Sequence, residues 1–340
     1  MKELRIGILG LGSWARSVHI PNLLRVPGVR ISALCSRTKA NLVAACNVLG
    51  ERPAIFHDEE SLFRWQDCDA VLITTPNYMH ASQSIAALRA GKHVFCEKPL
   101  ALTQPDALAL REAVRASGLV FAVGLELRYA DVPCAVSQFV KSGGIGKPRF
   151  ISTEILRNWQ LGGPGWRSVP EQSGGLFFEL GCHYTDLYEC LLGERTKKVH
   201  AEGSNRCGTV TDYASISLRY PSGAVGCLNL CLFASGATDR VDLEVIGEQG
   251  RVRAELLSGQ VEVWQGQGQQ GRRLDVGRPP DYEFIGFPGS LEILKDFAEC
   301  VRQGRRPVAD IEAAVSSTLT AIAGEESLRK GVPVELEVAE

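Results

Sequence analysis

Residues 174–187 read GGLFFELGCHYTDL and set Glu179 and His183 four positions apart inside an otherwise apolar, helix-like run. Such a pair has three chemical uses. A carboxylate and an imidazole can ligate a metal, can share proton transfer at one substrate hydroxyl, or can stand as ordinary neighbours on a helix face, since residues four apart lie about 6 Å apart along the axis. A metal centre needs further ligands at suitable spacing. None stands nearby, so no metal site is expected.

Two other stretches bear chemistry. Cys96-Glu97-Lys98-Pro99 fixes a lysine between a carboxylate and a proline, where its ammonium can hydrogen-bond a substrate hydroxyl or carbonyl and influence proton transfer. Near the start, Gly10-Leu11-Gly12-Ser13-Trp14-Ala15 matches the dinucleotide pattern G-x-G-x-x-[GA] between an apolar run and a helical one. Gly10 permits the tight turn and Gly12 lets backbone approach a pyrophosphate. Ala15 keeps helix and strand close, while the helix N-terminus faces the phosphates. An acidic residue about 20 positions on would bind the 2′-hydroxyl of NAD. Instead Ser36, Arg37 and Thr38 follow the second apolar run, and no Asp or Glu lies between Val29 and Gly50. Arg37 can pair a 2′-phosphate, so NADP is preferred, with NAD the alternative if Arg37 is only a surface charge.

The elements that must position these residues follow from patterning. LRIGILG, VRISALC, AVLITT, KHVFC and LVFAVG alternate with helical stretches that end at Gly50, Gly91 and Gly118, which implies βαβ units and a parallel sheet. AVLITT runs into Thr75-Pro76-Asn77 and His80, and KHVFC into Glu97 and Lys98, both at the carboxyl edge where open α/β sheets bind ligands. From about residue 149 the pattern changes to alternating strands, with Pro221-Ser222-Gly223 a hairpin turn, GEQG and SGQ further turns, and QGQGQQGRR from residue 265 a polar loop. Helices return at SLEILKDFAECVRQG and ADIEAAVSSTLTAIAGEESLRKG.

Composition agrees with a globular protein of two domains or one large one: 340 residues, 45% apolar and 22% charged. The 37 basic and 39 acidic residues are interspersed, which argues against a nucleic-acid partner. No apolar stretch is long enough for a membrane span and no secretory pattern opens the chain, so a cytoplasmic location is expected. Eleven cysteines, scattered and odd in number, read as reduced thiols.

Taken together, GxGxxA, TPNxxH, EKP and GGxxxELGxH followed by antiparallel sheet resemble the glucose-fructose oxidoreductase, inositol dehydrogenase and MocA (Gfo/Idh/MocA) family over almost the whole chain. The resemblance implies an α/β Rossmann domain, here residues 1–123, joined to a C-terminal α+β domain, 124–340, whose large open, mostly antiparallel sheet serves substrate binding and assembly into a homodimer or homotetramer. It implies hydride transfer between nicotinamide and a carbinol or carbonyl carbon of a sugar, cyclitol or related polyhydroxy compound. Lys98 then orients the substrate oxygen and His183 is the acid-base residue, while Asn77, His80 and Glu97 belong to the cofactor side. Where the family commonly has Asp four residues before the histidine, this chain has Glu179, a longer carboxylate.

Further substrate contacts are expected from Arg128, Tyr129, Arg157, Trp166 and Arg167, each arginine being equally suited to a structural ion pair. His19 is expected to pack beside the cofactor helix. Two other activities fit the same motifs: an NAD-dependent glycoside hydrolase working by transient sugar oxidation, and a non-catalytic dinucleotide-binding regulator.

Overall fold

The computed structural model describes residues 3–159, 165–206, 210–234, 239–266, 270–278 and 285–337. The chain divides into two compact units.

The first holds six strands, β1 (Leu4–Leu9), β2 (Val29–Cys35), β3 (Ala54–Phe56), β4 (Ala70–Ile73), β5 (His93–Cys96) and β6 (Phe121–Val123). They form one parallel sheet in the order β3-β2-β1-β4-β5-β6. Ile6, Ile8, Ala70, Val71, Leu72, Val94 and Phe95 are all buried, as expected of strands covered on both faces. The order reverses between β1 and β4, so a ligand crevice belongs outside the carboxyl ends of these strands. Leu9, Cys35, Ile73 and Cys96 end four strands there, which brings the loops at 10–14, 36–38, 74–79 and 97–99 to one edge. Five of the six strands are legible as apolar runs. The sixth, β3, is an edge strand of three half-exposed residues, too short to show a pattern.

The expected boundary at residue 123 needs correction. The first unit comprises Met1–Tyr129 together with Glu283–Thr318, and the second Ala130–Tyr282 together with Leu319–Glu340. The returning segment is bound by packing and by hydrogen bonds. In the helix Ser290–Gln303, Phe297 is 1% exposed and lies edge-on to Phe95 of β5, with ring centroids 5.8 Å apart. The Val123 amide donates to the Ala309 carbonyl at 3.1 Å. Arg302 donates to the carbonyls of Pro27 and Gly28.

The second unit is built on a nine-stranded sheet: β7 (Pro148–Leu156), β8 (Lys198–Ser204), β9 (Tyr213–Arg219), β10 (Val225–Cys231), β11 (Arg240–Gly247), β12 (Gly250–Glu255), β13 (Gln260–Gln265), β14 (Arg272–Arg273) and β15 (Val334–Glu335). Its order is β14-β13-β12-β11-β7-β10-β9-β8-β15, antiparallel throughout except for β7 beside β10. Strict alternation along β9 turns Ala214, Ile216 and Leu218 inward. The turns at 221–223, GEQG and SGQ all join antiparallel neighbours. The stretch expected as a loop from residue 265 is partly strand, because Arg272 and Arg273 pair with β13; residues 267–269 of it lie outside the described residues. The helices Asp131–Lys141 and Cys182–Leu192 cover the inner face, where the buried Tyr188 hydroxyl donates to the Cys227 carbonyl at 2.7 Å. The other face carries charges in cross-strand pairs, Arg240 with Glu154 and Arg251 with Glu244, and Arg240 also pairs with Asp242 two residues along its own strand. No described helix is long and apolar enough to cross a membrane.

Replacing Phe297 by Ala removes a fully buried ring from the segment that completes the first unit. We expect a loss of about 3–5 kcal/mol, read as a lower denaturant midpoint; an unchanged midpoint would show that the segment contributes little.

Candidate active site

At the first strand end the glycine turn is demanded by space as well as by φ. Gly10 has φ +90°, and a Cβ there would lie 2.8 Å from the Thr74 carbonyl carbon and oxygen and from the Thr75 nitrogen. The Thr74 hydroxyl donates to the Gly10 carbonyl at 2.7 Å and ties the β1 and β4 loops together. A Cβ on the exposed Gly12 would meet nothing within 4 Å, so its backbone is open to an approaching group. The chain is helical from Ser13 onward, opens into a widened π-turn at Ala15–His19 and continues as Ile20–Leu23. Ala15 is fully buried. An open glycine before a helix N-terminus fits a pyrophosphate.

The β2 loop presents Ser36 half-buried and Arg37 and Thr38 exposed, with the Ser36 hydroxyl accepting from the Thr38 amide at 3.2 Å. Arg16 joins this region, donating to the Leu11 carbonyl (3.2 Å) and to Asn41 (2.8 Å). Nothing in the motif pointed to it.

Glu97 is the hub of the β5 end. Its Oε1 accepts from the Trp14 indole at 3.1 Å and lies 2.6 Å from His19 Nε2, while Oε2 accepts from the Lys98 amide at 3.2 Å. Gly124, just past β6, leaves room for it, since a Cβ there would fall 2.9 Å from Oε2. Burial opposes the charge, but the hydrogen bond and charge of His19, with Lys98 and His80 close by, hold the carboxyl down at about 2. Trp14 and His19 therefore reach the site through Glu97. His19, expected beside the helix after β1, is the last residue of the π-turn within that helical run and packs against Phe95; its Glu97 partner is what the sequence did not show.

Lys98 stands half-buried next in the chain, before a cis peptide to Pro99. Thr75 and Pro76 are half-buried and Asn77 is buried in the loop after β4; the Thr75 hydroxyl donates to Gln83, whose amide donates to Glu59. His80 departs from expectation. It is 1% exposed, and both ring nitrogens lie against backbone carbonyls, those of Pro99 (2.7 Å) and Thr75 (2.8 Å), so it braces the loops from behind and has no nitrogen left for a cofactor.

In the second unit the short helix Pro170–Ser173 ends at Gly174 (φ +88°), and Gly175 follows at φ +98°. A second π-turn, Phe177–Gly181, then leads into the α-helix Cys182–Leu192. Glu179 and His183 are thus carried by a widened turn followed by an α-helix, rather than by the regular helix their spacing suggested. Glu179 is 4% exposed and His183 7%. Arg167 reaches to 3.6 Å from Glu179 and stacks 4.4 Å from the Trp166 ring centre, so these three expected residues do come together. Glu325 supports the turn from the helix Ile311–Lys330, accepting from the Phe177 amide at 2.7 Å. A Cβ on Gly175 would collide with its carboxylate at 2.6 Å. Burial pushes Glu325 up to about 7.

The remaining expected substrate contacts have structural tasks. The Tyr129 hydroxyl donates to Asp296 (2.6 Å) and accepts from the Ala309 amide (3.0 Å), and Arg128 donates to the Val308 carbonyl, so both bind the returning segment. Arg157 is buried 3.7 Å from Asp239. These side chains are committed to holding the chain.

Comparison with known proteins decides the family. Residues 4–125 match the model of an oxidoreductase family with an NAD-binding Rossmann fold, and residues 135–253 match the GFO/IDH/MocA C-terminal domain. The chain belongs to the Gfo/Idh/MocA oxidoreductase family. It is 29% identical to a myo-inositol 2-dehydrogenase of Thermotoga maritima over 98% of this chain and 99% of that one. It is also 29% identical to a scyllo-inositol 2-dehydrogenase (NAD(+)) of Bacillus subtilis, over 99% and 97%. A crystal structure of a probable dehydrogenase from Thermotoga maritima superposes with a TM-score of 0.82 at 27% identity, covering 98% of each chain.

The raised Glu325 gives a prediction with a definite sign. Its folded value of about 7 exceeds the ordinary 4.5, so its contribution to stability is complete below pH 4.5 and is lost as pH rises through 7. Glu325→Gln, which keeps an acceptor for Phe177, should be more stable than the wild type at pH 8 by on the order of 2 kcal/mol and equal to it at pH 4.5. Melting temperatures at the two pH values test this; a pH-independent difference would refute it.

Proposed function

We propose that this oxidoreductase moves a hydride between nicotinamide and a carbinol or carbonyl carbon of a sugar, cyclitol or related polyhydroxy compound, with Lys98 orienting the substrate oxygen and His183 as acid-base residue. The observation that carries the reading is Lys98 itself, set at the carboxyl edge of a parallel sheet beside a carboxylate locked by Trp14 and His19. The full-length likeness to inositol dehydrogenases supports the substrate class, and their names do not favour the hydrolase.

Gly10, Gly12 and Ser13 would hold the pyrophosphate, Ser36, Arg37 and Thr38 the adenosine ribose, and Thr75, Pro76 and Asn77 the nicotinamide side. The bound dinucleotide supplies the hydride acceptor or donor. In the oxidative direction the Lys98 ammonium donates a hydrogen bond to the substrate oxygen and stabilises the charge developing there, while the His183 imidazole takes the hydroxyl proton. Glu179, steadied by Arg167, orients the histidine and binds a neighbouring hydroxyl. Lys98→Ala and His183→Ala should each lower kcat by about 10²–10⁴-fold across a polyol and aldose panel while calorimetric cofactor binding persists. Full activity in either variant would refute the role assigned to that residue.

The ribose end supports NADP over NAD, because an exposed arginine flanked by two hydroxyl residues stands where an NAD site would carry a carboxylate. The Bacillus relative's name carries NAD(+), so the preference belongs to this chain's own residues. Arg37→Ala should lower kcat/KM for NADP by about tenfold or more and leave NAD nearly unchanged; equal losses would exclude a 2′-phosphate contact. We further propose a homodimer or homotetramer assembled through the second sheet, to be measured by light scattering.

A further inference from the structure

His80 opens the helix His80–Arg89 with its ring fully inside the first unit. Its Nδ1 lies 2.7 Å from the Pro99 carbonyl oxygen and its Nε2 2.8 Å from the Thr75 carbonyl oxygen. Both partners can only accept. A neutral imidazole carries one N–H and one lone pair, so either tautomer would press a lone pair against a carbonyl oxygen at hydrogen-bond distance, in a place closed to bulk water. Turning the ring over does not help, because carbons would then replace both nitrogens and both carbonyls would lose their donor. Only the imidazolium form donates to both.

We propose that His80 is a permanent imidazolium brace, a positioning residue that pins the loop after β4 to the loop after β5 through two charge-assisted hydrogen bonds, with the Glu97 carboxylate as counter-charge. Burial, the largest influence, pulls the imidazole below its ordinary value and the nearby Lys98 ammonium adds to that, while the two carbonyls and Glu97 oppose it. The charge is assigned against that pull because both ring nitrogens face groups that can only accept. On its own loop and helix Asn77, Gln83 and Ser84 are uncharged, and the Thr75 hydroxyl is taken up by Gln83. The brace fixes the spacing between the segment bearing Asn77 and the segment bearing Lys98, and its charge state goes beyond the activity proposed above and does not depend on it.

The test begins with the wild-type protein labelled with ¹⁵N-histidine, the His80 ring signals being assigned by ring-to-backbone correlation. Both nitrogens are expected to be protonated at pH 7.5 and to stay so from pH 6 to 8.5. One protonated and one bare nitrogen at pH 7.5 would overturn the proposal whatever the enzyme's activity.

Two neutral variants then separate the arms. The amide nitrogen of His80→Asn falls where Nδ1 meets Pro99, and that of His80→Gln where Nε2 meets Thr75. His80→Asn should therefore keep kcat and raise the dinucleotide KM, while His80→Gln should keep that KM and lower kcat, each by about tenfold. Identical kinetic defects in the two would count against a two-armed brace. If neither variant folds, the wild-type spectrum decides alone.

Discussion

A carboxylate withdrawn from water must be paired, and the pairing of Glu97 organises the whole carboxyl edge of the first sheet. Its donors come from separate stretches of chain: an indole and an imidazole from the helical run after β1, and the amide of the residue that follows it. The missing Cβ at Gly124 adds a constraint from beyond β6. Because the charge is held by hydrogen bonds rather than by water, the ends of β1, β5 and β6 keep one geometry, and Lys98 inherits it by covalent connection. The glycine turn is subject to the same economy of space, with Gly10 pressed against the Thr74 carbonyl.

The second unit solves a similar problem with different parts. A half-exposed guanidinium stacked on Trp166 faces the buried Glu179, and Glu325 closes an open backbone amide at Phe177. Among the described residues each unit also carries one widened helical turn, at Ala15–His19 and at Phe177–Gly181. Such turns are rare and cluster at functional sites, because the extra residue per turn rotates the following side chains off the face that an α-helix would give them. His19 is the last residue of one; His183 comes two residues after the other.

Much of this was legible beforehand, and for identifiable reasons. Gly10 and Ala15 announce their strand-turn-helix context because only small residues fit there, Gly12 by leaving its backbone open, and β1, β2, β4, β5 and β6 show as apolar runs because both faces are covered. What escaped was non-local. Phe297 and Tyr129 resemble any apolar and polar residue of their segments until the returning helix carries Phe297 to Phe95 and Asp296 to Tyr129. His80 sits in a motif that suggests ligand contact, yet its nitrogens are spent on carbonyls 5 and 19 residues away in sequence. Glu325 gave no signal, since its task is set by Gly175 and Phe177, some 150 positions earlier. A π-turn has no composition of its own.

The discontinuity of the first unit also has a meaning for biosynthesis. All six of its strands leave the ribosome before residue 130, but Phe297 and Ala309, which close over Phe95 and the Val123 amide, follow only after the stretch from Ala130 to Tyr282 has been made. At ordinary elongation speeds that interval lasts roughly ten to thirty seconds. For that time the apolar surface that Phe297 will cover beside Phe95 stays open, long enough for chaperone binding to compete with native closure.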